Sequence, residues 1–159
     1  TWHPKSLPVA TPHSQLLAAC DLGMDVTLLR PDGWGLEPEV VRAARARAEA
    51  RGGTLRESAD PESALRGATV VCAKEWGSLD YYGRFDEEKR AKEALRARWM
   101  VDAEAMARTQ DAFFLHCLPV RRNVVVSDAV LNGPRSAVID EAENRLWTAA
   151  AVFDALAGS

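Results

Sequence analysis

Short apolar runs rich in β-branched residues alternate along the chain with longer segments of helical period. Residues 25–31, "DVTLLRP", read as a buried strand that Pro31 closes. Residues 37–53, "EPEVVRAARARAEARGG", read as a helix. Pro38 suits its first turn, Ala and Arg propagate it, and Gly52 and Gly53 stop it. Residues 54–58 form a short strand. In "DPESALRG" (60–67) Asp60 caps a helix, Pro61 takes the first helical position and Gly67 ends it. A strong strand, "ATVVCA" (68–73), runs into a loop, "KEWGSLDYYGRF" (74–85). Helices at 86–98, highly charged, and at 102–109 come next. Strands at 111–116 and 136–140 and a closing helix with an apolar stripe at 142–157 complete the pattern.

Strands alternating with helices over short connections predict an α/β protein, a three-layer Rossmann-like parallel sheet with helices on both faces. Ligands of such sheets bind outside the carboxyl ends of the strands. Attention therefore falls on "HPKSLP" (3–8), "KEWGSLDYYG" (74–83), "HCLPVRRN" (116–123) and "DEAENR" (140–145).

The 159 residues suit one domain with a core, and 47% hydrophobic with 27% charged residues is globular composition. A net charge of -3 gives no electrostatic case for nucleic acid or an anionic membrane. No run reaches the roughly 18 apolar residues of a membrane span. The opening "TWHPKSLPVATPHS" lacks the charged and apolar regions of a secretory signal, and lacks an initiator Met, as a piece of a longer chain would. Cys20, Cys72 and Cys117 are odd in number and include no C-x-x-C pair. That argues against a disulfide framework or structural zinc and for a reducing cytosol. Cys20 and Cys72 are expected to pack in the core. The Ala/Arg-rich tract at 42–51 reads as a solvated helix face, and no internal repeat is visible.

Neither a G-x-G-x-x-G nor a Walker loop is present, which disfavours a nucleotide-binding reading. His116 and Cys117 end an apolar strand. Adjacent strand residues point to opposite faces, so they do not suit a thiolate–imidazolium pair. Either both pack at the strand end, or Cys117 and the Leu118 carbonyl line a site whose turn Pro119 fixes. Of Arg121 and Arg122, one is placed to grip a carboxylate or phosphate unless both are simply solvated. Arg145 is expected in the first turn of the last helix, where a cation opposes the helix dipole. That placement hints at function, with a salt bridge to Glu141 or Glu143 as the alternative. Lys74 directly follows a strand, and Trp76 and Tyr81 beyond it offer a wall or lid, or surface filler. His3 and Lys5 lie at the amino-terminal edge.

"HCLPVRRN" followed by "DEAENR" resembles the carbamoyltransferase family, on its ornithine side, and the resemblance runs from "HPK" to the last helix. It corresponds to the carboxyl-terminal, amino-acid-binding half of such an enzyme, residues 1–159 here. The Ser-x-Arg-Thr phosphate loop of the amino-terminal, carbamoyl-phosphate-binding half is absent. Ordinary ornithine enzymes of the family carry Asp-x-Trp-x-Ser-Met-Gly, whose Asp meets the α-ammonium of ornithine, and Ala-Phe-His-Asp after His-Cys-Leu-Pro. Here "KEWGSLDYYG" puts Lys74 in place of that Asp, and "VRRN" follows the proline. An Nα-acylated ornithine has a neutral amide and keeps only its α-carboxylate, a charge pattern that Lys74 and Arg121 suit. The chain is therefore similar to the N-acetylornithine group, with the N-succinylornithine group next; "HPKSL" and "KEWG" favour the acetyl substrate.

The resemblance implies transfer of a carbamoyl group from carbamoyl phosphate to the δ-amine of the acylated ornithine, in arginine biosynthesis. It implies no metal or organic cofactor, and a homotrimer of the full-length enzyme. It assigns Cys117 and the Leu118 carbonyl to the carbamoyl group and incoming amine, and Arg145 to the carbamoyl oxygen. Lys74 and Arg121 would hold the α-carboxylate and Leu7 would border the acyl group, with His3, Trp76 and Pro119 completing the substrate surface. Relatives can carry a carboxylated Lys where Val125 stands. A catalytically silent binding or assembly module on the same fold is the alternative.

Overall fold

The computed structural model describes residues 1–96 and 98–158. Helix α1 (Ala10–Asp21), strand β1 (Asp25–Leu29), helix α2 (Pro38–Ala50) and strand β2 (Thr54–Ser58) build the first part. Then come α3 (Pro61–Leu65), β3 (Val70–Cys72), a 3-10 turn at Leu79–Tyr81, α4 (Phe85–Glu93), α5 (Ala103–Ala107), β4 (Phe113–Leu115), α6 (Asp128–Leu131) and α7 (Val138–Ala157). The predicted α/β class and the parallel strand direction are both present. β1 runs parallel to β2, with Asp25 opposite Thr54 and Leu29 opposite Ser58. β3 runs parallel to β4, with Val70 opposite Phe113 and Cys72 opposite Leu115. Among the described residues these are two separate pairs rather than one continuous sheet. A cleft of about 1070 Å³ lies between β1 and β3 and reaches Lys74 at one end.

Helix α1 was not expected from the pattern. Its buried residues Pro12, Leu16 and Cys20 recur every fourth position, which is one helix face. Cys20 is fully buried there, as anticipated. In α2 the buried Val41, Ala44 and Ala48 face the same core. Its arginines point outward, Arg47 to Asp21 at 2.7 Å and Arg42 to Glu39 at 3.8 Å, so the tract is a solvated face. The turns after α1 and α2 press backbone to backbone: a Cβ on Gly53 would stand 2.5 Å from the Gly23 carbonyl oxygen. Asp60 caps α3 as predicted, accepting from the Glu62 and Ser63 N–H groups.

Three expectations need correction. Cys72 is not a core residue. It faces the cleft beside β3, where surrounding protein still desolvates the thiol. Together with Glu141 and Cys117 nearby, this pushes its pKa up to about 12. The helix expected at 86–98 stops at Glu93, and Ala97 of that span lies outside the described residues. The strand expected at 136–140 is a single bridge. Phe114 N–H donates to the Arg135 carbonyl at 2.8 Å and Ala137 N–H to the Phe114 carbonyl at 2.9 Å. From Val138 onward the chain is helix, since Asp140 and Glu141 favour a first helical turn and Val138 anchors that turn in the second core cluster.

Beyond Val138, α7 lies on the surface. Ile139, Leu146 and Phe153, seven residues apart, form an apolar stripe with Trp147 and Leu156 beside it; Phe153 and Leu156 are each 70% exposed. No helix of the described residues is long and apolar enough to cross a membrane.

Candidate active site

The parallel register of β3 and β4 decides where the chemistry lies. Cys72 stands opposite Leu115, and Ala73 N–H donates to the Leu115 carbonyl at 3.0 Å. Both strands therefore end at one edge, and Lys74-Glu75 emerges beside His116-Cys117. His116 turns inward, 1% exposed, while Cys117 turns out to solvent. This is the opposite-face arrangement expected of adjacent strand residues, and it rules out a direct thiolate–imidazolium pair.

His116 organises the turn that follows. Its Nδ1 accepts the Leu118 N–H at 3.0 Å. With Nδ1 an acceptor, the neutral ring carries its hydrogen on Nε2. Nε2 faces the Glu75 carboxylate at 3.6 Å, longer than a hydrogen bond. Burial pushes the Glu75 carboxyl up, but the His116 imidazole and the Lys74 ammonium pull it down, to about 2 overall. Lys74 Nζ lies 3.8 Å from Glu75 Oε1 and donates to the Glu75 carbonyl at 3.2 Å. Leu118 adopts φ 44° and precedes a cis peptide bond to Pro119. A left-handed non-glycine residue costs on the order of 1 kcal/mol and persists where its surroundings fix it. Here the His116 hydrogen bond does so. Among the described residues the Leu118 carbonyl accepts no hydrogen bond.

The two arginines of "VRRN" separate cleanly. Arg122 Nε donates to Asp128 Oδ1 at 2.6 Å, and Asn123 braces the same carboxylate at 2.9 Å. Arg121 is exposed and makes no such pair among the described residues, and its charge is felt by His3, whose imidazole pKa is lowered mainly by burial and in part by Arg121. His3 is buried, with Nδ1 accepting the Lys5 N–H at 3.1 Å. The 3–8 loop lies against the 74–78 loop, since Gly77 N–H donates to the Leu7 carbonyl at 2.8 Å.

Trp76 lines the cleft, as a wall residue would, but is not a lid. It belongs to the first core cluster, 8% exposed, and its indole N–H donates to the Trp34 carbonyl at 3.1 Å. Tyr81 packs on Trp34 with ring centroids 5.9 Å apart. Arg145 is not in a first turn, because α7 begins at Val138 and places it two turns in. The dipole argument for it therefore fails. So does the salt-bridge alternative, since among the described residues Arg145 makes no ion pair with Glu141 or Glu143. It is an exposed, unpaired guanidinium one turn beyond Glu141, whose charge reaches Cys72 at the strand edge. Val125 is fully buried in the second core cluster. The sequence pattern does not single out Glu75. The only available signal was an acid next to Lys74 at a strand end.

The sequence profile of the aspartate/ornithine carbamoyltransferase Asp/Orn binding domain matches residues 9–156. An N-acetylornithine carbamoyltransferase of Xanthomonas campestris pv. campestris is 43% identical over 159 residues, covering 99% of this chain and 47% of that protein. An N-succinylornithine carbamoyltransferase of Bacteroides thetaiotaomicron is 36% identical over 98% of the chain and 45% of its own length. An ornithine carbamoyltransferase of Rhodococcus jostii is 42% identical over 84% of the chain and 42% of its own length. The crystal structure of acetylornithine transcarbamylase complexed with acetylcitrulline superposes with a TM-score of 0.95 at 43% identity, over 98% of this chain and 47% of that one. The chain belongs to the aspartate/ornithine carbamoyltransferase family, in its Asp/Orn binding domain. It spans about half the length of the relatives it matches.

Proposed function

We propose that this chain is the amino-acid-binding half of a carbamoyltransferase acting on N-acetyl-L-ornithine. The enzyme transfers the carbamoyl group of carbamoyl phosphate to the δ-amine, giving N-acetylcitrulline and phosphate, as a step of arginine biosynthesis. The other half binds carbamoyl phosphate, and the whole works as a cytoplasmic homotrimer. The observation that carries the substrate choice is the charge at the strand edge. Lys74 and Arg121 supply two cations for an α-carboxylate, and the acid next to Lys74, Glu75, is buried and already engaged by Lys74 and His116. A free α-ammonium would meet a Lys there without an available carboxylate, whereas an Nα-acyl amide brings no charge.

The uncharged δ-amine attacks the carbamoyl carbon, and phosphate leaves. Much of the rate in such a reaction comes from holding amine and carbamoyl carbon together and from stabilising the oxyanion that forms. The unengaged Leu118 carbonyl suits an amine N–H, and the exposed Cys117 lies next to it. Arg145, unpaired, is the donor for the carbamoyl oxygen, where negative charge grows. Leu7 borders the acyl group, and His3 and Pro119 complete the edge. Steady-state kinetics of the intact enzyme with N-acetylornithine, N-succinylornithine and ornithine test the reading. The highest kcat/KM is expected for the acetyl substrate. A preference for free ornithine overturns the assignment, and a preference for the succinyl substrate moves it to that relative.

A further inference from the structure

Helix α4 is dominated by charged residues, and the two side chains it buries are themselves charged. Glu88 and Lys92 stand one turn apart on one face, 2% and 5% exposed, with Lys92 Nζ 2.8 Å from Glu88 Oε1. A buried ion pair gives little net stability by itself, because desolvation offsets the Coulomb attraction. What distinguishes this pair is where its remaining hydrogen bonds go. Glu88 Oε1 accepts the Ser78 backbone N–H at 3.0 Å. Lys92 Nζ donates to the Lys5 carbonyl at 3.1 Å. The first contact fixes the loop after β3, and the second fixes the 3–8 loop. The two loops are sewn together by the Gly77 to Leu7 hydrogen bond, and Gly77 leaves no room for a side chain. A Cβ there would clash with Ser6 Oγ and stand 3.5 Å from Glu88 Oε1. Burial pushes the Glu88 carboxyl up, but Lys92, Ser6 and the Ser78 N–H outweigh it, so the group stays anionic.

We infer that Glu88 and Lys92 are positioning residues that hold the 3–8 and 74–78 loops in register and thereby set the spacing of Leu7 from Lys74 at which an acylated amino acid is gripped. The inference rests on the function proposed above for those loops. Neither residue touches a reacting atom, so the effect falls on amino-acid binding and not on the chemical step.

The test uses the intact enzyme with a volume-conserving double variant, Glu88→Leu with Lys92→Met, and with Glu88→Gln, which keeps a carbonyl acceptor for the Ser78 N–H. The double variant is expected to raise KM for N-acetylornithine by about tenfold or more, with kcat and KM for carbamoyl phosphate changed less than about threefold. Hydrogen exchange at the Gly77 and Ser78 amides should speed up in the double variant, with exchange in α2 unchanged. Glu88→Gln should retain most of the affinity and protection. Unchanged KM and unchanged amide protection in the double variant overturn the inference. So does a parallel rise of both KM values with faster exchange throughout, which marks a merely structural pair. If the double variant does not fold, Lys92→Met alone decides: it removes the tie to the Lys5 carbonyl, so exchange at Gly77 should speed up relative to α2 and KM for N-acetylornithine should rise, and identical exchange and KM overturn the inference. If the enzyme prefers another amine, the functional reading falls. The exchange measurement needs no substrate and still decides whether the pair holds the two loops.

Discussion

The loops after β3 and β4 leave the sheet at the same edge and are built in opposite ways. After β3 the charges are buried and engaged: Lys74 with Glu75, Glu75 with His116, and Glu88 with Lys92 behind them. After β4 and along α7, Cys117, Arg121 and Arg145 are exposed and, like the Leu118 carbonyl, have no hydrogen-bond or ion-pair partner among the described residues. A group already satisfied by its own fold has little left to offer a ligand, whereas an unpaired guanidinium at a strand edge loses little by binding one. In the function proposed above, the β3 side serves as scaffold and the β4 side as the working surface, with Lys74 at the junction.

The sharpest way to break this contrast is on the working side. In the intact enzyme Arg145→Ala should lower kcat by roughly a hundredfold, as removal of one oxyanion donor does, while the melting temperature stays within a few degrees. Arg145→Lys should restore only part of the rate, because Lys lacks the planar fork. Near-normal kcat for the Ala variant would remove Arg145 from the mechanism.

On the scaffold side the effect should appear in stability and depend on pH. The Glu75 carboxyl is held near 2 in the folded protein, below its ordinary 4.5. The folded state therefore binds this proton less readily than the unfolded chain. The stabilisation is fully present above about pH 4.5 and is lost as pH falls toward 2. Glu75→Gln should cost on the order of 2 kcal/mol near neutral pH, and urea titrations of variant and parent should converge as the solution is acidified. A gap that stays constant with pH would detach Glu75 from this role.

The smallest effect separates the neighbouring arginines. Arg121→Ala should raise KM for the acylated amino acid about tenfold, the loss of one charge-assisted contact. Arg122→Ala should leave kinetics near normal and cost a fraction of a kcal/mol in stability, as an exposed ion pair does. Equal effects of the two on KM would erase the distinction drawn from the Arg122–Asp128 pair.

Local signals carried much of the fold into the sequence. Thr54–Ser58 fell where its pattern placed it, and Asp60 caps α3 through its own side chain. The strand ends bearing Lys74 and His116-Cys117 could be found because β-branched runs stop there. What escaped was set by tertiary context. "SAVID" has strand propensity, yet only one residue finds a partner edge, so the helix begins about one turn early and Arg145 lies two turns in. Of the wall and lid readings of Trp76 only the lid fails, because its side chain packs into the first core cluster and lines the cleft from there. Glu88 and Lys92 fall in a segment that the pattern marks only as a highly charged helix. No spacing rule reveals that the face they share is turned inward.

The apolar stripe of α7 has a practical consequence for the chain handled by itself. Soluble monomers rarely leave so continuous a run of large apolar side chains in water. Ile139, Leu146, Trp147 and Phe153 together make one end of this molecule adhesive. Its sedimentation should depend on protein concentration. Excluded salts such as sulfate should drive the molecules together, because they strengthen apolar association while screening the modest net charge of -3. Colloidal behaviour, and not the integrity of the core, then sets the concentration at which the isolated chain can be studied.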